Sequence, residues 1–597
     1  MPWVTIDEDG RMAVRCEKDD SAVVKDIGGT WDSFNKVWQV TFTISNLNYL
    51  VDEMPGIVVS PQVESRIRGQ SEKERRLRQL RHLSREDIPV RLRVPGLKLP
   101  LRNYQKLGVQ FCMTNGEGVL VADEMGLGKT VQAIATALFL KDSEGIEKAL
   151  IVTPASLKYN WPIELEKFCD EPYVVIDGTP EQRMAQWLRD DAFFYVTNFE
   201  LVTEDLFGGR EKKTRKGETD AQKAKRLEYE AKMRRRMRLL SGPRTRKWGL
   251  VAVDECHALK IHASRRSRNV KRLRAKFRMG LTGTPLDGRL EELHSVMGFI
   301  CPGLLESKTR FMQKHAICDP YGKVKGYKRI AEVRERIGPY FIRRLKKHVL
   351  KELPDKIYQN RVVVMSAREK KVYDELASHG HEATMDAQAM VAIIRCKQWC
   401  DHSELIDHVA ISKDSAAKRL MPRGIRSSKM EALKEVLQEA VVENGHKVLV
   451  FTQYAKMAEL LLPEFDRLGL KYLYLWGETP KRERAAMQER FNEDKTLDLM
   501  VGTEAMSAGL NFTAADVVVN YDDNWAPAIM QQRADRAHRI GQRNVVTVVN
   551  FICQATIEER IRKVLFSKGK LSAQALGDDV DMAVLKRLGP MDVARML

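Results

Sequence analysis

No stretch of the 597-residue sequence approaches the ~20 consecutive apolar residues that a membrane-spanning helix requires. The first residues, MPWVTIDEDG, lack the basic stretch and apolar core of a secretory signal. Cysteine is sparse and odd in number, 9 residues without a regular spacing, which excludes a disulfide framework and fits a reducing compartment. Repeats of about 20–50 residues and low-complexity tracts are absent, which excludes solenoids and arrays. No heptad run dictates a dimer, so a monomer is expected. What remains is a foldable composition, 43% hydrophobic and 30% charged. The length corresponds to roughly three to five domains.

One sign of charge is in excess. Lys and Arg number 100 against 81 Asp and Glu, a net +19 with a pI near 9.4. A chain this basic is expected to meet a polyanion, nucleic acid first; a merely basic soluble protein is the alternative. Residues 207–247 hold 16 Lys and Arg against 5 Asp and Glu, more than half of the net charge. With glycine near both ends and few large apolar residues, this block reads as a surface insertion, and Asp220 to Leu240 could form a solvated helix. A second charged run, Glu64 to Arg93, reads as a connector with helical character. Both could equally be solvated charged faces.

Residues 118–140, GVLVADEMGLGKTVQAIATALFL, read as an apolar strand (Val119 to Ala122), a glycine-rich turn and a helix from Thr130. That is the context of a phosphate loop. Gly126 and Gly128 let the backbone wrap phosphates where N–H groups and a helix N-terminus attract anions. Lys129 would reach the β- and γ-phosphates and Thr130 would ligate Mg²⁺. The general G-x-x-x-x-G-K-T pattern is broken at its first position by Asp123, which is counted with the nucleotide-binding loop. The segment WGLVAVDECHALK, 248–260, is another strand (Leu250 to Val253) ending in Asp254 and Glu255. An acidic pair at a strand's C-terminal end can hold Mg²⁺ through Asp254 and polarise an attacking water through Glu255. An ordinary acidic loop is the alternative, and the order of the two segments argues against it. MGLTGTPLDGRLEEL (279–293) is again strand then turn, and KVLVFTQY follows at 447–454. In QRADRAHR, Arg536 and Arg539 are three apart, which on a helix puts both on one face. Facing a γ-phosphate they would act as arginine fingers; a surface ion-pair helix is the alternative.

The strings DEMGLGKT, DECH, LTGTP, VLVFTQY and QQRADRAHRIGQ, in that order, resemble the Swi/Snf-type ATPases of helicase superfamily 2. Flanking pieces agree: LPLRNYQ (99–105), VTPASLKYNW (152–161), TNFE (197–200), PYFIRRLKKHVLKELPDK (339–356), FN (491–492) and TIEERI (556–561). The resemblance covers about residues 97–565. It implies an α/β fold of two tandem RecA-like lobes, parallel sheets flanked by helices, with ATP in the cleft between them. It also implies ATP-driven translocation on duplex DNA, usually without strand separation. Carried over by residue, Gln105 would read the adenine, with Arg102 and Tyr104 near the base. Lys129 and Thr130 would hold phosphate and Mg²⁺, and Asp254 and Glu255 the metal and water. Arg536 and Arg539 would complete the site, with Gln532 on the same helical segment. DNA contacts that track the backbone would come from Ser156, Lys158, Asn160, Thr197, Asn198 and Lys260, and in lobe 2 from Gln453, Gly477, Thr503 and Trp525. Three positions depart from the family pattern: Ile261 follows Lys260, Asp287-Gly288 follows LTGTP, and Met506-Ser507 replaces a glycine pair. The last resembles the annealing-helicase branch.

VVKDIGGTWDSFNKVWQVTF, 23–42, resembles the small HARP-type module that precedes the core in annealing helicases and their bacterial and phage relatives. That likeness implies a grip on branched DNA; a small β-rich packing domain with Trp31 and Trp38 in its core is the alternative. The expected division is an accessory domain at 1–75, lobe 1 at 76–350 with the basic insertion, lobe 2 at 351–575 and a tail at 576–597. Cys396, Cys400 and His402 supply three metal ligands without an obvious fourth nearby, and read as a helix-packing segment. The function expected is a double-stranded-DNA translocase that remodels DNA or displaces bound proteins. An unwinding DNA or RNA helicase and an ATP-switched DNA clamp are the alternatives. A nucleosome remodeller fits less well, since no histone-reading domain is visible. Modest size leans toward a bacterial or phage source and the cytoplasm, or the nucleus if the source is eukaryotic.

Overall fold

The computed structural model describes all residues except 1, 8–9, 84–88, 156, 209–238, 287–288, 382–385, 407–426, 508, 525–526 and 563–597. Most of the basic insertion, Ser156, Asp287-Gly288, Trp525 and the expected tail therefore lie outside the described residues. Among those described, the chain divides into two compact units, Met1–Val349 and a second from Leu350. No helix among them is long and apolar enough to cross a membrane.

In the first unit, Gly118–Val121, Ala149–Thr153 and Phe194–Asn198 are buried at every position. Strands of this kind need helices on both faces, as parallel sheets have. They belong to a seven-stranded sheet in the order Phe341–Ile342, Gly118–Val121, Arg274–Leu281, Lys247–Asp254, Ala149–Thr153, Phe194–Asn198, Tyr173–Val175. Every pairing is parallel. The register matters for function. Val121 pairs with Leu281, Leu281 with Asp254, Val253 with Val152, and Thr153 with Asn198. The C-terminal ends of five strands thus form one row, and the loops that leave them gather on one edge, where open α/β sheets bind ligands.

The second unit repeats the plan. Its six parallel strands run in the order Lys356–Val363, Val546–Cys553, Val517–Asn520, Val448–Phe451, Leu499–Gly502, Tyr472–Leu475. Cys396 and Cys400 are buried there, while His402 caps the short turn Ser403–Leu405. The structure instead brings Cys400, Cys553 and Glu558 within 4.8 Å of one another. Glu558 already accepts from Lys429 Nζ at 2.6 Å and from the Cys553 amide at 2.9 Å. The Lys429 ammonium supplies the positive charge at this spot, and burial holds the Cys400 thiol well above its ordinary pKa. The site is packing.

The N-terminal sheet runs Thr30–Asp32, Val37–Val40, Met12–Arg15, Trp3–Ile6, Val58–Val59. Its core is Val4, Met12, Val14, Val40, Phe42, Leu47 and neighbours. Trp38 is half-buried and packs against that core. Trp31 is 52% exposed and meets Trp38 edge-on, with ring centroids 5.3 Å apart. The helix Pro61–Leu83 buries Val63, Gln70 and Leu77, every seventh residue. Val63 packs into the N-terminal core and Leu77 into that of the large sheet. The domain boundary expected at residue 75 therefore falls inside one continuous helix.

Candidate nucleotide site

Strand, turn and helix at 118–144 fold as their composition dictates. The strand Gly118–Val121 leads into a turn in which Gly126 (φ +86°) and Gly128 (φ +74°) adopt left-handed backbone that a side chain would strain. A Cβ on Gly128 would also stand 2.4 Å from Gln105 Nε2. The helix Lys129–Glu144 starts directly after it. Lys129 Nζ donates to the carbonyls of Asp123 (2.9 Å) and Glu124 (3.5 Å), which lays its ammonium across the loop. Thr130 stands in the first helical turn, where free N–H groups favour phosphate. Gln105 is anchored at both ends of its amide: Oε1 accepts from the Arg102 amide at 2.9 Å, and Nε2 donates to the Leu127 carbonyl at 3.2 Å. Tyr104 Oη donates to the same carbonyl at 3.2 Å. Gln105 is thereby tied to the phosphate loop; Arg102 nearby is exposed.

Asp123 does a different job from the one expected. Its carboxylate faces inward, accepting from Arg344 Nε (2.8 Å), Arg344 Nη2, the Arg344 amide (3.1 Å) and Gln132 Nε2 (3.0 Å). Both residues are fully buried. Fully buried and paired with Arg344, the Asp123 side chain anchors the loop from within, while its carbonyl accepts from Lys129. Arg344 also donates to the Tyr104 carbonyl and, at 2.5 Å, to Gln132 Oε1. A Cβ on Gly108 would stand 2.8 Å from Arg344 Nη2, so a residue without one lets the guanidinium in. Glu124 Oε2 accepts from the Lys346 amide at 2.7 Å. Arg344→Met is expected to lower the unfolding free energy by about 3–5 kcal/mol in urea titrations, because it strands a buried carboxylate. A loss within about 1 kcal/mol would show the clamp is not needed.

The acidic pair closes the row. Asp254 Oδ2 accepts from Trp161 Nε1 at 3.0 Å and Thr153 Oγ1 at 3.4 Å, and Oδ1 accepts from the Glu255 amide at 2.9 Å. Burial, then the neighbouring Glu255, pushes the Asp254 carboxyl up to about 6, although Lys129 pulls it back. Such a carboxylate gains from a cation beside it. A threonine hydroxyl and a carboxylate form the all-oxygen set that a hard divalent ion takes; the donors fit Mg²⁺. Glu255 holds a left-handed backbone, φ +46°, a conformation that costs a non-glycine residue about 1–3 kcal/mol and is found at functional sites. Its Oε2 lies 3.1 Å from His257 Nδ1, which is 3.2 Å from Thr282 Oγ1 of LTGTP. LTGTP in turn covers the loop: a Cβ on Gly283 would meet Met125 Cγ at 2.7 Å.

The expected DNA contacts divide into two groups. Lys158 is buried, donating to the Ile176 carbonyl (3.1 Å) and pairing with Asp177 (2.8 Å). Thr197 is fully buried, and Asn198 caps a helix by accepting from the Leu201 amide at 2.9 Å. Gln453 donates to Asp522 Oδ1 (2.9 Å) and the Asp523 carbonyl (2.7 Å). Lys158, Asn198 and Gln453 thus bond within their own unit; Gln453 is half-exposed, and the buried Thr197 hydroxyl has no hydrogen-bond partner. Asn160, Lys260 and Thr503 are half-exposed, and a Cβ on Gly477 would meet open space.

The arginine pair is also corrected. The helix Pro527–Ala534 ends before Arg536, so Arg536 and Arg539 occupy turns and not one helical face. Gln532 is the only one of the three inside the helix, and its carbonyl accepts from Arg536 Nε at 3.3 Å. The two arginines nonetheless reach adjacent residues: Arg536 Nη1 donates to the Leu510 carbonyl (2.9 Å) and Arg539 Nη1 to Asn511 Oδ1. Sequence reasoning passed over Arg533, fully buried between Glu504 and the Asp522 carbonyl (2.9 Å). It also passed over Arg344, Trp161 and His257, all of which lie within motifs it quoted.

Fold and site define a phosphate-loop α/β core followed by a second parallel unit of helicase type. Residues 104–405 match the SNF2-related domain and residues 428–541 the helicase conserved C-terminal domain. The chain belongs to the SNF2-related family. It is 31% identical over 495 residues to an uncharacterized ATP-dependent helicase of Mycoplasma pneumoniae, covering 81% of this chain and 42% of that protein. It is 28% identical over 533 residues to human SWI/SNF-related matrix-associated actin-dependent regulator of chromatin subfamily A member 1, covering 85% and 47%. The chain thus spans under half the length of these two relatives. Among solved structures it resembles the Sulfolobus solfataricus SWI2/SNF2 ATPase core in complex with dsDNA, with 27% identity, a TM-score of 0.37, and coverage of 82% of this chain and 95% of that one.

Proposed function

We propose that the protein hydrolyses ATP to move along or remodel duplex DNA, as a Swi/Snf-type translocase. The observation that carries this is the row of strand ends in the first unit, which gathers Lys129, Thr130, Asp254, Glu255 and Thr282 in a chain of the SNF2-related family. ATP phosphates would rest on the loop 123–130, the base near Arg102, Tyr104 and Gln105. Thr130 and Asp254 would hold Mg²⁺, which supplies charge neutralisation between the phosphates. Glu255 would orient the water, and Arg536, Arg539 and Gln532 of the second unit would serve turnover. The net charge of +19 supports DNA as the partner. Asn160, Lys260, Gly477 and Thr503, with Ser156 and Trp525, remain the proposed contacts. A HARP-like role for the N-terminal sheet would favour branched DNA, with fork remodelling, annealing or displacement of bound proteins as the outcome. A monomer in the bacterial or phage-infected cytoplasm, or in a eukaryotic nucleus, completes the proposal.

The test is steady-state ATP hydrolysis with blunt duplex, forked DNA, single-stranded DNA and RNA. Stimulation by duplex, larger with the fork, is expected. Stimulation by single strands or RNA alone would replace the translocase with an unwinding helicase. Deleting 207–247 separates the clamp: a translocase loses some affinity and salt slope but keeps DNA-stimulated hydrolysis. A clamp loses most of its DNA binding.

A further inference from the structure

The helix Pro61–Leu83 turns the face opposite Val63, Gln70 and Leu77 outward, and its second half carries Arg75, Arg76, Arg78 and Arg81. Where it passes the helix Ile330–Ile337, a cleft of about 340 Å³ opens. Arg78 and Arg81 of the first helix line it together with Arg334, Glu335, Gly338 and Pro339. The two helices are about 250 residues apart in sequence. Arg81 is held in place, its guanidinium 5.9 Å from the Phe341 ring centroid. Arg78 is 71% exposed and stands 4.0 Å from Glu74, a weak surface pair. Arg334 is exposed. Three guanidinium groups thus meet two carboxylates, Glu335 in the cleft and Glu74 beside Arg78, and the cationic excess favours an anion.

The guanidinium fork matches phosphate oxygens. The cationic row does not stop at the cleft. Arg75, which pairs with Glu72 at 2.9 Å, and Arg68, both exposed, continue it along the same helix, and at about 1.5 Å rise per residue Arg68 lies about 15 Å from Arg78. A row of that length suits a polymer of phosphates better than a single free one. We infer that this cleft and the helix leading from it bind the sugar–phosphate backbone of a duplex DNA arm, at a place separate from the strand-end row. The inference rests on the DNA-translocase reading.

The test measures duplex affinity of the full chain against salt concentration for wild type and for Arg78→Gln/Arg334→Gln. The control variant, Arg274→Gln/Lys276→Gln, removes the same charge at the start of the strand Arg274–Leu281, where both residues are exposed. The cleft variant should keep its thermal midpoint, while its slope of log affinity against log salt shrinks by about 2. The control should keep the wild-type slope. An unchanged slope in the cleft variant, or an equal loss in the control, overturns the inference. Duplex binding without duplex-stimulated hydrolysis would instead remove the translocase reading and leave the slope comparison decisive for the cleft. Absence of duplex binding by the wild type would remove both.

Discussion

Glu255→Gln is expected to lower ATP hydrolysis by about 10²–10⁴-fold, the range of a lost general base, with ATP and DNA binding largely retained. The amide keeps the shape and one acceptor oxygen of the carboxylate, so the left-handed backbone at this position (φ +46°) and the packing around it should survive. What it loses is the negative charge that polarises water. Binding should persist because the phosphate loop is built from other parts: the glycine turn, Lys129 across the Asp123 carbonyl at 2.9 Å, and the clamp from Arg344. The measurement is single-turnover hydrolysis beside equilibrium nucleotide binding. Unimpaired hydrolysis would take the water-orienting role away from Glu255. Loss of binding as well as turnover would mean the carboxylate supports the loop, through His257 and Thr282, and does not act on water.

The parts of the site legible in the sequence are those whose chemistry is local. A strand, a glycine turn and a helix start within one 23-residue string, 118–140, and the acidic pair ends its own strand. Each could be placed because backbone conformation and function depend on neighbours in the chain. Arg344 was not legible, because its partner Asp123 is more than 200 residues away and they meet only through the pairing of Phe341–Ile342 with Gly118–Val121. The same limit explains Lys158. The family resemblance implied a DNA contact there, yet Asp177 pairs with its ammonium and the Ile176 carbonyl accepts a hydrogen bond from it. Asn198 could have been read differently: an asparagine between a strand and Phe-Glu-Leu is a ready helix cap. The helix through Arg536 failed because tertiary bonds override helical spacing. The Arg536 carbonyl accepts from the Phe512 amide at 2.9 Å, and the Asp535 carboxylate from Lys356 at 3.0 Å, which turns the chain after Ala534.

Arg539→Ala is expected to cut ATP turnover by about 10³-fold, the lower end for an arginine finger. Three arginines lie within seven residues, and their surroundings separate them. Arg533 is fully buried and held by Glu504 and the Asp522 carbonyl, so it braces the fold. Arg536 is 7% exposed and bonds the Leu510 carbonyl at 2.9 Å. Removing it leaves a buried carbonyl short of a donor, at about 1–3 kcal/mol of stability, whatever happens to catalysis. Arg539 is less buried and bonds the side chain of Asn511 rather than a backbone carbonyl. Arg539→Ala should therefore reduce turnover while the unfolding midpoint stays close to wild type. Arg536→Ala should lower both. Arg539→Lys, which keeps the charge but not the planar fork, should recover only part of the rate. If Arg539→Ala costs less than about tenfold while Arg536→Ala costs far more than its stability loss explains, the finger is Arg536.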